Sequence, residues 1–526
     1  MAAGLLLGTF IFGLSVWTVL RSPLRNVPSA HWSCGLSSLW ILWTRYRNRE
    51  LAVLTEKHQR LGPIVRVGPA DLSISCYDNG VRTIYNGGFE KPAYYDFFSY
   101  YAEKNAFCSL SRQDHSMRRK RITAAFTKSA LFASEPLSTL TQAILFDRLL
   151  PLIRQQAASK QPTDVLSLSY ALSLDLLTCF QFGLASGSNF LQSPDRLKTW
   201  IEHYEHRYCK DAFWPQELPT LTLCLKYLGI DMLPKSQHRS TQFLEDWLLE
   251  LCDDAEKVRL EKEKENLVHP CDVPVVYQLV KRGVEADLPH ANPDKVKKEI
   301  ASELFDQMSG GREVLGLVLA YTIYYISQNP SAQSRLVAEF ETLEPNLREF
   351  GRNLSSEAQH SSNLRLPSPS SLDKLPYLSA VLKESLRMRP NSTPLPRITP
   401  RDRPVSLAGK DGIPPGTRVN VFQWFIHRDP ANYNDVDVWQ PDRWIEEESK
   451  NDKVPLLWAF GGGSRMCVGA SLSFYLMRYI LAVIYTNFSS RVVSKKTGAY
   501  EPGSLEDEIM IQFEEVSNSD DRSREA

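Results

Sequence analysis

A ten-residue segment near the C-terminus, FGGGSRMCVG from Phe460 to Gly469, restricts the fold more than any other part of the sequence. Its glycines have no Cβ atom, so the backbone there can approach a flat ligand closely. Cys467 lies just ahead of an apolar run, residues 470–484, that has helical spacing. A helix N-terminus stabilises a thiolate through its dipole and its free N–H groups, which lowers the thiol pKa. The segment therefore predicts a loop that presents a reactive cysteine at the start of a helix.

Two other interpretations of this segment fit less well. A phosphate-binding loop would show G-x-G-x-x-G after a strand, or Gly-Lys followed by Ser or Thr, and residues 460–469 have neither pattern. An inert core cysteine would leave the neighbouring glycines and Arg465 unexplained. We therefore expect Cys467 to be present for chemistry.

Composition narrows the class of protein. Nine cysteines are scattered over 526 residues, an odd number without any C-x-x-C pair, which argues against a disulfide framework and a zinc site. The 61 basic side chains equal the 61 acidic ones, so no nucleic-acid partner is expected. Because no internal repeat or long linker divides the chain, one large, mainly helical domain is expected over residues 46–516.

The first twenty residues, Met1–Leu20, carry no charged side chain, and Arg21 and Arg25 follow them. As a helix they would span about 30 Å, the hydrocarbon thickness of a bilayer. A cleaved signal peptide is the alternative, but its basic residues would precede the apolar run. The order seen here predicts a single-pass anchor, residues 1–20, with a cytosolic body. Residues 21–45 are expected to be a linker and residues 517–526 a polar tail.

Apolar periodicity predicts the main structural elements of the body. Between Gly62 and Ser75, apolar residues alternate between Gly-Pro signals, a pattern typical of a two-stranded hairpin. From about Leu131 to Gln328 the apolar spacing is mostly helical. The predicted fold class is mainly α, with a small β-sheet region near the N-terminus and an N-terminal transmembrane helix.

The glycine and cysteine segment resembles the haem-binding signature of the cytochrome P450 family, position by position. The matching residues are Phe460, Gly463, Arg465, Cys467 and Gly469. The resemblance implies haem b as cofactor, with Cys467 as the axial thiolate ligand of the iron and Arg465 near a propionate. It extends over nearly the whole chain, to about Val516, and implies the cytochrome P450 fold.

A second set of residues follows the family's order along the chain. Leu382–Pro390 reads LKESLRMRP, which puts Glu384 and Arg387 three residues apart on one helix face, and Arg443 follows in the run PDRW. An isolated E-x-x-R pair is usually a surface salt bridge that contributes little. The resemblance implies instead a buried structural network of Glu384, Arg387 and Arg443 behind the haem.

Further cations resemble the family's propionate ligands. Arg397 ends the run PLPR, and His115 and Arg119 lie in DHSMRRKR, which is similar to a fungal form of the corresponding helix. The other cations of that run, Arg118, Lys120 and Arg121, fit a solvated helix face or a reductase-docking face about equally well.

The oxygen-activation motif of the family, [A/G]-G-x-[D/E]-T-T, aligns with residues 310–315, GGREVL. Gly310 and Gly311 would open a groove for dioxygen, and Glu313 would relay protons. Val314 stands where the family has a threonine, and a valine cannot donate a hydrogen bond. Three outcomes stay open: substrate or water supplies the hydroxyl, the reaction is a coupling or desaturation, or no dioxygen is activated.

The resemblance implies a fungal-type microsomal monooxygenase of the endoplasmic reticulum membrane. Electrons would come from a separate NADPH–cytochrome P450 reductase, because the chain has no flavin or dinucleotide motif. The expected substrate is an apolar or aromatic small molecule of secondary metabolism, changed by hydroxylation, oxidative coupling, ring closure or desaturation. The alternatives are an isomerase, dehydratase or peroxide-using enzyme, and a non-catalytic haem or ligand-binding protein. Candidate substrate-facing segments are Phe89–Phe107, Ser392–Leu395 and Ile509–Met510.

Overall fold

The computed structural model describes residues 21–265, 269–348, 366–390, 393–445, 456–496 and 507–516. The predicted membrane anchor and polar tail lie outside these residues. Helices dominate the described chain, as predicted. The α-helices are α1 Leu39–Tyr46, α2 Glu50–Leu61, α3 Arg82–Asn86, α4 Arg112–Phe126, α5 Lys128–Phe132, α6 Glu135–Ala143, α7 Leu150–Ala158, α8 Val165–Phe182, α9 Pro194–Arg207, α10 Phe213–Glu217, α11 Pro219–Tyr227, α12 Lys235–Glu265, α13 Val275–Asp287, α14 Pro293–Gly311, α15 Leu317–Gln328, α16 Pro330–Phe340, α17 Pro369–Asp373, α18 Pro376–Met388, α19 Gln423–His427 and α20 Ala470–Asn487.

The strands are short and form three sheets. They are β1 Ile64–Gly68, β2 Asp71–Ile74, β3 Thr163–Asp164, β4 Arg397–Ile398, β5 Val405–Leu407, β6 Lys410–Ile413, β7 Arg418–Val421, β8 Phe488–Lys496 and β9 Glu508–Glu515. The largest sheet has the order β1-β2-β7-β4, a second has β3-β9-β8, and β5 pairs with β6.

The hairpin predicted near the N-terminus is confirmed, but it is half of a sheet. β1 and β2 pair antiparallel, with Ile64 opposite Ile74. β2 then pairs in parallel with β7, and β7 pairs antiparallel with β4. The sequence pattern missed this completion because β4 and β7 come from a region more than 300 residues later. The sheet thereby brings Arg397, on β4, close to the N-terminal half of the chain.

The segment 21–45, which the sequence indicates as a linker, packs on this sheet. Leu24 and Val27 are buried with residues of β2 and β7, and Cys34 and Ile41 are buried with residues of β1. Burying four apolar side chains stabilises this arrangement through the hydrophobic effect. The body therefore begins near Leu24.

Helix α8 lies in the middle of the core. The carboxylate of Asp164 caps it, because it accepts hydrogen bonds from the backbone N–H groups of Leu166 and Ser167 at 3.1 and 3.3 Å. Within the described chain, α8 is the one helix long and apolar enough to cross a membrane, but 94% of it is buried inside the protein. It is best understood as a core helix.

Helices α14 and α15 form one continuous rod, the central helix, Pro293–Gln328. The π-helical turn Arg312–Gly316 joins them. The rod begins at Asn292, whose side-chain oxygen accepts a hydrogen bond from the Lys295 N–H at 2.8 Å. A single π-helical turn within an α-helix is common at functional sites.

One face of the central helix is less buried than the rest. Between residues 299 and 323 most side chains are fully buried, and those on this face are partly or fully exposed. The residues of this pocket face are Asp306, Gly310, Glu313, Val314 and Leu317. Asp306, Gly310, Glu313 and Leu317 are spaced by four, three and four residues, and Val314 follows Gly310 by four, so all five lie on one side of the helix. The pocket face includes three of the four residues that the sequence assigns to oxygen activation.

Candidate active site

The Cys467 loop is closed by backbone hydrogen bonds. The Cys467 N–H donates to the Phe460 carbonyl at 2.9 Å, and the Met466 N–H donates to the Gly463 carbonyl at 3.2 Å. Gly463 has a φ of +66°, and a Cβ there would lie 2.3 Å from the Tyr85 carbonyl oxygen. A side chain at this position would therefore clash as well as strain the backbone. The loop needs glycine at residue 463 for a close approach to the chain at Tyr85.

The thiol of Cys467 has competing influences on its pKa. Burial raises the pKa, and the nearby Asp306 carboxylate adds to this effect. The backbone N–H groups of Gly469 and Ala470, where α20 begins, and the charge of Arg119 lower it, but less. The net pKa is raised, so the sequence argument identified the effect of the helix start but missed that burial outweighs it. The residue as a whole nonetheless has exposed surface.

Two arginines connect the Cys467 loop to the chain around the start of α4. Arg465 donates through Nη1 to the Ser109 carbonyl at 2.7 Å and through Nη2 to the Leu110 and Ser111 carbonyls at 2.8 Å. Arg119, on α4, donates to the Met466 carbonyl at 2.5 Å. The sequence places these two cations near one group, and the structure does bring both next to Cys467.

Further cations lie close by. Arg397 donates to the Tyr95 hydroxyl at 2.8 Å and lies over the Tyr85 ring. Lys91, which the sequence analysis missed, donates to the Phe107 carbonyl, and its ammonium lies 4.1 Å from the ring centres of both Tyr95 and Phe107. A lysine in an aromatic loop carries no recognisable motif, so only the fold reveals it.

These cations repel one another. Desolvation, followed by the charge of Arg397, lowers the pKa of Arg465 to about 10. Desolvation and the charges of Arg397 and Arg465 lower the pKa of Lys91 well below its usual value. His115 is buried, and desolvation and Arg465 lower its pKa to about 3, so its ring is neutral near pH 7.

No carboxylate among the described residues forms an ion pair with Lys91, Arg119, Arg397 or Arg465. Their acceptors are backbone carbonyl groups and one phenol. Lys91 and Arg397 are buried, and Arg119 and Arg465 are partly buried. Clustered cations that are shielded from water are costly without counter-charges. A flat group that offers a metal ion to the Cys467 thiolate and two carboxylates to these cations would fit this set of donors.

The two glycines of the central helix have different surroundings. A Cβ at Gly310 would meet no atom within 4 Å, so this position faces open space. A Cβ at Gly311 would lie 1.9 Å from Cδ1 of Leu177 on α8, so this glycine permits close helix packing. The predicted groove therefore lies at Gly310, while Gly311 sets the distance between the central helix and α8.

The carboxylate of Glu313 is held by a residue that the sequence analysis missed. Tyr204, on α9, donates from its hydroxyl to Oε1 of Glu313 at 2.8 Å. The same hydroxyl lies 2.5 Å from Oγ of Ser309, four residues before Glu313 on the central helix. Only spatial contact between α9 and the central helix, about 100 residues apart in sequence, reveals this link.

The charged residues Glu384, Arg387 and Arg443 form a buried network. Glu384 accepts hydrogen bonds from Arg387 at 2.8 and 2.9 Å and from Arg443 at 3.1 Å, and both Glu384 and Arg387 have no exposed surface. It also accepts from the Trp444 indole at 2.9 Å and the Gln440 N–H at 2.8 Å. The sequence predicts this grouping, and all its members meet in the structure.

The basic run on α4 divides into separate environments. Arg118 and Arg121 are buried and share the carboxylate of Glu299, with N–O distances of 3.1 Å, and Arg121 also pairs with Asp287 at 2.7 Å. Neither a solvated nor a docking role fits these two side chains, so both interpretations are wrong for them. Lys120 is exposed and fits either.

The candidate substrate-facing segments are partly core. In Phe89–Phe107, Tyr95 and Tyr100 are buried, and Tyr100 stacks on Phe305 of α14 with the ring centres 4.1 Å apart. Ile509 is buried as well, whereas Met510 is partly exposed. Ser392 lies outside the described residues.

The chain is similar to one family of proteins along most of its length. The model of the family described as Cytochrome P450 matches residues 35–505. The chain is 24% identical to a fusicoccadiene C-8 hydroxylase of Alternaria brassicicola, over 93% of this chain and 89% of the relative. It is 24% identical to a tryprostatin B 6-hydroxylase of Aspergillus fumigatus, over 94% of this chain and 80% of the relative. A cytochrome P450 monooxygenase of Penicillium canescens, olcB, is 26% identical, over 91% of this chain and 90% of the relative.

Proposed function

Since the chain belongs to the cytochrome P450 family and is a monooxygenase, we propose that it binds haem b with Cys467 as the axial thiolate ligand. One observation carries this assignment. The Cys467 thiol lies at one site with a cluster of cations that includes Arg119, Arg397 and Arg465 and that has no carboxylate partner in the described segments. When bound, haem with an axial thiolate activates dioxygen and favours cleavage of the O–O bond.

The residues of this chain have separate tasks in the proposal. Arg119, Arg397 and Arg465, together with neutral His115, bind and orient the two propionates of the haem. Phe460, Gly463 and Gly469 shape the loop so that the backbone can approach the macrocycle. Glu384, Arg387 and Arg443 hold the chain behind the loop. On the other face, Gly310 leaves room for dioxygen, and Glu313 relays protons through its carboxylate.

We propose that electrons come from a separate NADPH–cytochrome P450 reductase and that the substrate is an apolar or aromatic small molecule. Two relatives are named as hydroxylases of organic compounds: one is a fusicoccadiene C-8 hydroxylase and the other a tryprostatin B 6-hydroxylase. The aromatic side chains of Phe89–Phe107 support an apolar substrate. Hydroxylation, oxidative coupling, ring closure and desaturation in fungal secondary metabolism all fit this site.

A second candidate function is an isomerase, a dehydratase or a peroxide-using reaction that activates no dioxygen. One observation favours it: Val314, on the pocket face, has no hydroxyl where the family motif has threonine. This function would proceed without NADPH and the reductase. Turnover that depends on both would contradict it.

The predicted anchor, residues 1–20, suggests an endoplasmic reticulum membrane protein with its body in the cytosol. A surface of exposed apolar side chains supports this proposal. Its members are Trp32, Leu36, Leu39, Trp43, Leu221, Leu223, Tyr227, Leu228 and Ile230. The two halves of this apolar surface adjoin, because Tyr46 at the end of α1 contacts Phe213 of α10, with the ring centres 5.4 Å apart. A contiguous apolar surface of this kind is typical of a membrane contact.

The membrane proposal has a direct test. A variant that lacks residues 1–20 should still sediment with microsomes, and the added changes Leu223→Ser, Tyr227→Ser and Leu228→Ser should release it. The same three changes in the full chain should leave it membrane-bound. Complete release of the truncated protein before these changes would contradict a second membrane contact.

The haem assignment is tested by the carbon monoxide difference spectrum of the reduced protein in microsomes. We expect a Soret band of the thiolate type for the natural sequence and its loss in Cys467→Ser. Cys224→Ser is the matched control, because Cys224 is an exposed cysteine on α11. An intact natural protein without this band would overturn the assignment.

A further inference from the structure

A buried hydrogen-bonded group connects the pocket face to helix α9. The Tyr204 hydroxyl lies within hydrogen-bond distance of both Glu313 Oε1 and Ser309 Oγ, at 2.8 and 2.5 Å. Oε2 of Glu313 accepts no hydrogen bond from the described part of the chain. Tyr204 therefore fixes one oxygen of the carboxylate and leaves the other available on the pocket face.

The ring of Tyr204 is held firmly on all sides. It stacks on Trp200, with the ring centres 5.1 Å apart, and contacts Tyr208 at 4.7 Å. The guanidinium of Arg312 lies over the Tyr204 ring at 4.9 Å and over the Tyr170 ring at 4.2 Å. Tyr204 is 1% exposed, so the surrounding side chains restrict the movement of its ring.

The surroundings also fix the protonation state of this phenol. Burial raises the pKa of Tyr204 well above its usual value, and the carboxylate of Glu313 adds to this effect. The hydroxyl thus keeps its proton near neutral pH and acts as a donor to Glu313. The charged and titratable groups around it are Glu313 and Arg312 on the central helix, Tyr208 after α9, and Tyr100.

Charge balance at this place also involves α9. Arg312 forms an ion pair with Glu205, the residue after Tyr204, at 3.7 Å, and the Glu205 side chain is 25% exposed. The Arg312 charge therefore lies between two carboxylates, Glu205 towards the surface and Glu313 on the pocket face. Two adjacent residues of α9, Tyr204 and Glu205, therefore contact Glu313 and Arg312 of the central helix.

Tyr204 is the hydroxyl that donates to Glu313, and the neighbouring Val314 has no hydroxyl to offer on the pocket face. We propose that Tyr204 is the positioning residue of Glu313, so that this carboxylate is oriented for proton transfer only while α9 is docked on the central helix. This inference rests on the proposed function.

The test uses the holoenzyme with reductase and NADPH and no added substrate. Dioxygen is then reduced either by two electrons and two protons to hydrogen peroxide or by four of each to water. Tyr204→Phe keeps the ring and removes the hydroxyl. We expect the ratio of water to peroxide to fall about threefold to tenfold, the range that corresponds to the net contribution of one hydrogen bond. The solvent deuterium isotope effect on this ratio should also change.

Tyr208→Phe is the matched control. Its hydroxyl lies 2.7 Å from that of Tyr100, so the change removes one partly buried hydrogen bond at the same helix end without touching Glu313. The water-to-peroxide ratio of this variant should equal that of the natural sequence. An equal change in both variants would show a merely structural effect and overturn the proposal, as would an unchanged ratio in Tyr204→Phe.

A double variant separates positioning from packing. If Tyr204 acts through Glu313, the Tyr204→Phe, Glu313→Gln protein should match Glu313→Gln alone, whereas additive effects would contradict the proposal. If Tyr204→Phe lowers the haem content, the variant Ser309→Ala is tested instead. An unchanged water-to-peroxide ratio in Ser309→Ala would then contradict the proposal. Failure of the proposed function is distinct, because the natural protein would then lack the thiolate-type band or consume no NADPH.

Discussion

The two sides of the site are built differently. On the thiolate side, which comprises the Cys467 loop and the network of Glu384, Arg387 and Arg443, backbone bonds and a fully bonded carboxylate hold each group. On the central-helix side, which comprises the pocket face and α9, Glu313 accepts a single hydrogen bond from the part of the chain that the structure describes, and Tyr204 donates it. The thiolate side is therefore fixed by many bonds, and the central-helix side can change with the position of α9. The first suits retention of a cofactor, and the second suits adaptation to a substrate.

The largest effect is expected from a change that breaks the Glu384 network, which holds the thiolate side rigid. Glu384→Gln leaves Arg387 and Arg443 buried without a carboxylate, and breaking such a network costs about 3–5 kcal/mol. We expect this loss in the free energy of unfolding, measured by urea titration followed by circular dichroism, together with loss of haem. Glu341→Gln, at an exposed position after α16, is the control. A loss below about 1 kcal/mol would mean that the network is not what holds this side.

The second-largest effect is expected on the stability of the folded protein at acidic pH. It comes from the ion pairs of Glu217, which attach α10, the helix after α9, to the rest of the protein. Glu217 binds Arg418 at 2.7 and 2.9 Å and Arg45 at 3.0 Å. Burial raises the pKa of Glu217, but the charges of Arg418 and Arg45 outweigh it and lower the pKa to about 2 from its usual 4.5. The lower pKa in the folded state contributes about 3 kcal/mol, which is complete above pH 4.5 and is lost as the pH falls towards 2.

Acid titration of stability measures this contribution. Between pH 4.5 and 2 the natural protein should lose more stability than Glu217→Gln, in which residue 217 no longer titrates. Glu250→Gln, at an exposed position on α12, should follow the natural protein. Parallel curves for all three proteins would show that the attachment of α10 contributes little to stability.

A smaller effect distinguishes two glycines of the Cys467 loop. Gly461 and Gly463 both have positive φ angles, +72° and +66°, but only a Cβ at Gly463 would clash, 2.3 Å from the Tyr85 carbonyl. We expect Gly461→Ala to cost about 1 kcal/mol, from backbone strain alone, and Gly463→Ala about twice as much or more. Thermal unfolding and haem content measure both. Equal losses would show that the contact with Tyr85 is unimportant.

The smallest effect is expected on the central-helix side. Val314→Thr should leave haem binding and the free energy of unfolding nearly unchanged, because the two side chains have similar shapes. It should change the fraction of NADPH that yields product by about threefold, since a threonine hydroxyl on the pocket face adds a hydrogen-bond donor that valine lacks. The measurement compares NADPH consumption, peroxide and product. A product spectrum and coupling equal to those of the natural protein would contradict the importance of residue 314.

The local parts of the site follow from the sequence. The Phe460–Gly469 loop, the hairpin at 64–74 and the Glu384–Arg387 pair are each encoded within fifteen residues, where turn chemistry and helical spacing determine the geometry. Arg118 and Arg121 show the limit of such reasoning. Their carboxylate partners, Glu299 and Asp287, lie more than 150 residues away, so no local pattern could indicate that they are buried.

By itself the sequence determined the mainly helical fold and the absence of a hydroxyl at residue 314, and it predicted the role of Cys467. The tertiary structure decided which groups surround them: Lys91 beside Arg397 and Arg465, the completion of the N-terminal sheet by β4 and β7, and Tyr204 on Glu313. The physical reason is the distance along the chain over which each interaction acts. Backbone propensity and side-chain spacing act over a few residues, whereas burial, charge and hydrogen bonding depend on whichever segments the folded chain brings together.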